Sequence, residues 1–177
     1  MSDNLFCSEL PSGVFRRSQL DPKIVDHENV LDNMLKLQNK LHIKCLSSVN
    51  SKLKPSERKL VATWMNEVCE EQNCEDQVFL VSIQLFDRFL STVNVSTSQL
   101  QLVGTVCLLV ASKLRQCNYL SAELLSYYTE YAVTNTEITQ WELLLVAKLG
   151  WDLSPVTSLD FVDPLLRRLS VTEGSIV

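Results

Sequence analysis

Residues 100–114 leave this chain fewer choices than any other stretch. Wound into a helix, they are apolar almost all round, so the helix has no face for water and is stable only with other helices packed about it. Ser96 and Gln99, just ahead, form a capping-box signal, with side chains spaced to satisfy backbone N–H groups that a helix start leaves unpaired. Gly104 inside the run costs about 1 kcal/mol of helix propensity against alanine. Its presence predicts a second helix crossing close by. The run therefore predicts an all-α fold with this helix at its centre.

Helices to surround it are legible on both sides. Pro55 and Ser56 open a segment with Leu60, Val61, Trp64, Met65 and Val68 on one stripe, expected to end near Asn73. Glu75 and Asp76 supply first-turn acids for the next helix, where Val78, Phe79, Ile83, Leu85, Phe86, Phe89 and Leu90 predict deep burial. Beyond the central helix, Ser121 caps a short helix expected to reach Tyr131, and Thr134 with Glu137 caps another that Gly150 ends. Thr157 with Asp160 starts a last amphipathic helix through about Leu169, bearing Phe161, Leu165, Leu166 and Leu169. Ahead of all these, residues 28–41 carry Val30, Leu31, Met34, Leu35, Leu37 and Leu41 as a stripe that predicts a helix lying on a core. Residues 1–25 are polar, proline-broken and aperiodic, and read as an extended or mobile arm. The expected architecture is a five-helix bundle over residues 56–149 around its third helix, with one helix before and one after; no β-alternation appears.

Composition narrows the function. With 46% apolar and 21% charged residues in 177, the chain can bury a real core. A net charge of −5 argues against nucleic acid or an anionic membrane as the target and for a protein partner. The longest apolar stretch, residues 102–112, is too short to span a bilayer. None of the six cysteines forms a two-residue-spaced pair and the two histidines lie apart from most of them, so no zinc site is expected. Unpaired cysteines within apolar helices fit a reducing compartment, cytosol or nucleus. Four scattered glycines build no phosphate loop, and no nucleophile–base pair is visible, so no cofactor and no catalytic residues are assigned.

Two charges stand out against this background. Lys113 ends the central apolar helix, and Glu142 is the acid in the apolar helix of residues 138–149. Such groups are costly when buried unless paired. They read as a private structural bridge, as a helix-end cation and a solvent-strip acid, or as a docking device for another protein.

Specific motifs favour the last reading. Arg58-Lys59-Leu60-Val61-Ala62-Thr63-Trp64-Met65, Asp87-Arg88-Phe89-Leu90, Leu100-Gln101-Leu102-Val103-Gly104-Thr105, Ala111-Ser112-Lys113 and Glu142-Leu143-Leu144-Leu145 strongly resemble the cyclin box. Residues 61–72 and 141–153 look most like the D-type cyclins, and the similarity runs from about Val30 to Leu169. The resemblance divides the chain into an arm (1–25), an N-terminal helix (28–41), a cyclin box (56–153) and the start of a second box (154–177). It implies a chain truncated after the first box or a minimal cyclin, with Phe161, Leu165 and Leu166 short of cover. The acidic tail of D-type cyclins has no counterpart here.

The resemblance also implies roles. The chain is expected to be no enzyme itself but a regulatory subunit that binds and activates a cyclin-dependent serine/threonine kinase in G1/S control, in nucleus and cytoplasm. Lys113 and Glu142 match the family's kinase-gripping pair, with Leu114, Val146, Trp151 and Leu153 as apolar contacts. Arg115-Gln116 stands where cyclins often carry acids. A substrate-docking patch falls on Leu60, Val61, Trp64, Glu67, Leu100 and Gln101, with Glu57 a departure that sets a charge at its rim. In the arm, Leu5-Phe6-Cys7-Ser8-Glu9 matches the Leu-x-Cys-x-Glu pattern for retinoblastoma-family pocket proteins; in an extended strand Leu5, Cys7 and Glu9 face one way. The alternative is a non-activating adaptor or competitor that holds a kinase or pocket protein.

Overall fold

The computed structural model describes residues 21–40 and 53–173. Among them there are helices and no strands. In chain order they are α1 (Pro22–Val25), α2 (Asn29–Lys40), α3 (Pro55–Glu71), α4 (Asp76–Thr92), α5 (Leu100–Arg115), α6 (Ala122–Tyr128), α7 (Asn135–Lys148) and α8 (Val162–Glu173). Helices α3 to α7 form the bundle, and α5 is the axis against which α3, α4, α6 and α7 all pack.

The greasy run dictates this arrangement. Every residue of α5 from 102 to 112 is buried, and Phe86 and Phe89 of α4 are buried completely beside it. Each valine, leucine or phenylalanine among them contributes about 1.5–3 kcal/mol by leaving water. The continuous helical stretch Thr97–Arg115 is long and apolar enough to cross a membrane by length and composition, yet it is the core of the bundle, covered by its neighbours. Gly104 marks the crossing of α3 over α5. A Cβ there would stand 2.8 Å from Val61 Cγ1 and 3.2 Å from Met65 Sδ, so the helices meet where glycine lets them.

Polar groups inside are satisfied locally. Ser112 Oγ donates to Leu109 O (2.9 Å) and accepts from Leu120 N (3.1 Å), fastening the entry to α6 onto the end of α5. Arg58 of α3 grips Asp87 of α4 through Nε and Nη2, both at 2.6 Å, a bidentate clamp that holds the guanidinium charged beyond its ordinary value. Arg88 donates to Asp152 O (2.7 Å) and so ties α4 to the segment after α7.

Cap signals locate the helix starts. Ser121 Oγ accepts from Leu124 N (3.1 Å), and Thr134 with Glu137 forms a reciprocal box at the head of α7. The Ser96–Gln99 box is present too, but it opens a 3₁₀ turn, Thr97–Gln99, that leads into α5. Thr157 N and Oγ1 both donate to Asp160 Oδ2 (2.6 and 2.8 Å), again opening a 3₁₀ turn, Leu159–Phe161, before α8.

Three expectations need correction. The arm is not featureless to residue 25: Asp21 caps α1 through Lys23 N (2.9 Å), with Pro22 at its first position. Helix α6 stops at Tyr128 rather than Tyr131, because Glu130 and Tyr131 take left-handed backbone angles that no right-handed helix accommodates. The stripe on α2 is covered only in part: Val30, Leu31 and Met34 are half-buried, while Leu35 and Leu37 are about half exposed. Polar contacts join the two flanks, with Arg167 Nη1 at 3.4 Å from Asp26 and Arg168 Nη2 donating to Glu28 O (2.9 Å). Val162, Leu165, Leu166 and Leu169 of α8 are likewise exposed.

Candidate docking grooves

Lys113 and Glu142 meet. Lys113 sits in the last turn of α5 and Glu142 at mid-length in α7, and packing of these two helices brings Nζ to 2.7 Å from Oε1. The lysine side chain is 39% exposed and the glutamate 24%. A pair so open to water contributes about 0–1 kcal/mol. Stability alone is therefore a weak reason for setting two ionisable groups among apolar side chains. A third group, Tyr119, places its ring 5.7 Å from the ammonium, so the cation is held from two sides.

The pair stands in a groove of about 450 Å³ lined by Val110, Lys113, Leu114, Thr139, Glu142, Leu143, Val146, Trp151 and Leu153. All six residues singled out from sequence as the kinase-docking set are here, but in two roles. Leu114 and Trp151 are exposed, whereas Val146 is buried and belongs mainly to the core, with Leu153 packed partly against it. Trp151 owes its position to the end of α7. Gly150 and Trp151 both have φ near +63°, and Trp151 N returns to Val146 O (3.1 Å), which turns the indole outward until it is 76% exposed. Thr139 and Leu143 escaped the sequence reading, although with Glu142 and Val146 they make an i, i+3, i+4, i+7 stripe that periodicity could have supplied. Tyr119 lies in a connecting segment and carries no such signal. Arg115 turns to Ser154, with Nη2 at 3.2 Å from Oγ.

A second groove, about 460 Å³, is lined by Glu57, Leu60, Val61, Thr63, Trp64, Glu67, Thr97, Leu100 and Gln101. It gathers all six residues of the expected substrate patch. Leu100 is buried and forms floor; Trp64 is half-buried, and Leu60, counted above on the core stripe of its helix, is 72% exposed. Glu57 is engaged already, accepting from Lys54 N (2.9 Å) as the third residue of the α3 cap and from Thr97 Oγ1 (3.5 Å). With Glu67 it makes the rim of an apolar floor acidic. Leu5, Cys7 and Glu9 lie outside the described residues.

Burial pushes the Cys69 thiol up to about 12 and holds Cys107 well above its ordinary value, so neither is a nucleophile at neutral pH. Among the described residues no three His, Cys, Asp or Glu side chains group to hold a metal ion.

The fold is a helical bundle with a charged clasp between its third and fifth members, and comparison gives the class. The cyclin N-terminal domain matches residues 29–154. The chain belongs to the cyclin family. It is 43% identical over 157 residues to the G1/S-specific cyclin-D3 of Mus musculus, covering 88% of this chain and 54% of that protein. It is 38% identical over 175 residues to the G1/S-specific cyclin-D2 of Gallus gallus, covering 98% and 60%. To the G1/S-specific cyclin-D1 of Danio rerio it is 39% identical over 180 residues, covering 99% and 60%. The chain thus spans between about half and three-fifths of the length of these relatives. Among solved structures it resembles a viral cyclin from herpesvirus saimiri, with a TM-score of 0.72 at 28% identity over 80% of this chain and 62% of the other.

Proposed function

We propose that this chain is a regulatory subunit that docks on a cyclin-dependent serine/threonine kinase and activates it for G1/S control, with a retinoblastoma-family protein as the substrate. The observation that carries the reading is the Lys113–Glu142 clasp at 2.7 Å inside an apolar groove. In the uncomplexed chain each charge satisfies the other. Against a partner's main chain the ammonium is free to donate to a carbonyl and the carboxylate to accept from an N–H, while Leu114, Trp151 and Leu153 cover apolar surface. Phosphoryl transfer in protein kinases needs a strand lysine and a helix glutamate of the kinase brought together, and a protein pressing on that helix favours the competent state by its differential affinity for it. The chain supplies position, not catalysis, and acts in nucleus and cytoplasm.

A second surface extends the reading. The acidic rim and apolar floor of the α3–α5 groove suit an Arg-x-Leu type segment of a substrate, the arginine at Glu57 and Glu67 and the leucine against Trp64 and Leu100. Leu5, Cys7 and Glu9 would engage the pocket protein itself.

One reconstitution tests these parts together: the full chain, a candidate kinase and a pocket-protein fragment, scored for complex formation and for phosphorylation. Lys113→Ala is expected to weaken kinase binding by about 2–5 kcal/mol and to abolish phosphorylation with it. Trp64→Ala and Cys7→Gly are expected to leave kinase binding intact and to raise the substrate concentration needed. Unaltered activation by Lys113→Ala removes the kinase assignment, and unaltered substrate dependence in the other two removes theirs. Tight wild-type binding without phosphorylation identifies an adaptor instead.

A further inference from the structure

The end of α6 carries a feature that neither groove uses. Tyr127, Tyr128 and Tyr131 gather there around the middle ring of Tyr127, whose centroid is 5.7 Å from that of Tyr128 at 75° and 6.2 Å from that of Tyr131 at 79°. Aromatic pairs of this geometry usually accompany burial of ring surface. Here Tyr127 is 59% exposed and Tyr131 70%. With Glu71 from the end of α3 and Glu130 from the turn after α6, the rings line a concavity of about 410 Å³. None of its five lining residues belongs to either groove.

The cluster is held in advance of any ligand. Glu130 and Tyr131 have φ of 54° and 60°, a left-handed conformation costing roughly 1–2 kcal/mol for each non-glycine residue. A buried network sustains it: Tyr131 N donates to Ser126 O (2.9 Å), Thr129 Oγ1 to Ser126 O (2.8 Å), Ser126 Oγ to Val133 O (2.6 Å) and Val133 N to Thr129 Oγ1 (3.2 Å). This turn folds Tyr131 back onto Tyr127. Across from it, Gln72 Nε2 donates to the Tyr128 hydroxyl at 2.5 Å and fixes that ring to α3.

The chemistry of the lining selects one kind of occupant. Aromatic faces are the negative pole of a ring quadrupole and attract cations. Two carboxylates add to that field, and among the described residues no basic side chain lines the concavity. Anions are repelled, and a purely apolar occupant would desolvate two carboxylates without supplying a charge to offset them. We propose that Tyr127, Tyr128, Tyr131, Glu71 and Glu130 form a receptor for a cationic side chain, an arginine or lysine presented by a basic segment of a partner protein. The site is separate from the kinase clasp and stands or falls apart from it.

The test uses the full chain with ring-labelled tyrosines, followed by NMR while acetyl-Gly-Arg-Arg-Gly-amide is added, and then the same peptide with citrulline for arginine. Saturable shifts of the Tyr127 and Tyr131 rings are expected with arginine, with affinity at least about tenfold weaker for citrulline. Tyr127→Leu with Tyr131→Leu should abolish the response. Glu71→Gln with Glu130→Gln, which leaves the aromatic turn intact, should weaken it and reduce its salt dependence, so the proposal remains testable if the tyrosine variant does not fold. Absence of saturation at millimolar arginine peptide, equal responses to the two peptides, or a charge variant that binds as wild type would each overturn the proposal.

Discussion

Helices α5 and α8 are both rich in leucine and valine, yet they end in opposite surroundings. In α5 every residue from 102 to 112 is buried, with α3, α4, α6 and α7 around it; in α8, Leu165, Leu166 and Leu169 are each about half exposed or more. Helix α2 repeats the lesson, its amphipathic stripe half-bare and its region joined to α8 by an arginine–aspartate pair and a bond to a carbonyl. An apolar pattern states what a helix needs. Whether the need is met depends on what the rest of the molecule brings to it.

That contrast can be broken by substitution. Phe86→Ala, in the completely buried interior of α4, should lower stability by about 3–5 kcal/mol, read from the midpoint of a urea titration. The counterpart on α8, Leu165→Ser, should change it by no more than about 0.5 kcal/mol. A large loss at Leu165 would show that the flank is held as firmly as the bundle.

Gly104 sharpens the same comparison at one point. Replacement by leucine drives a side chain into Val61 and Met65 and should cost about 1–3 kcal/mol despite the gain in helix propensity. Thermal unfolding gives the answer, and a neutral outcome would mean that α3 yields at the crossing.

A smaller loss than at Phe86 or Gly104 is expected at the head of α7. Thr134→Ala removes the oxygen that accepts from Glu137 N (3.3 Å) and should cost about 1 kcal/mol. The same cap holds the Glu137 carboxylate below the usual range, through the backbone N–H of Thr134 first and its hydroxyl second. The folded chain therefore binds this proton less readily than the unfolded one. The contribution is whole at neutral pH and is lost as pH falls through and below the ordinary glutamate range. The difference between wild type and Thr134→Ala should accordingly narrow on acidification; a constant difference down to strongly acid pH would disprove the coupling.

What was legible in the sequence is mostly what is local. The Ser96–Gln99, Thr134–Glu137 and Thr157–Asp160 signals each announce a helix start, because cap and capped group lie three residues apart in any context. Gly104 announced the helix crossing for a similar reason: only steric demand explains it inside such a helix. Lys113 and Glu142 were visible as misplaced charges, but 29 residues separate them, and their meeting at 2.7 Å was carried by family resemblance rather than by pattern. The partial cover of α2 was not legible, since a stripe looks the same covered or uncovered. Nor were Tyr119 and the tyrosine cluster, which depend on a connecting segment and on two left-handed residues that no periodicity encodes.

The outward turn of Trp151 has a practical consequence. The chain has three tryptophans, and the fold distributes them one to each setting: Trp151 open in the α5–α7 groove, Trp64 half-open in the α3–α5 groove, and Trp141 packed beside Phe89 with ring centroids 6.4 Å apart. Indole emission shifts to the blue as water is withdrawn. The protein thus carries an optical gauge in each groove and an internal standard between them, so that occupancy of either face registers in its own light without any label attached.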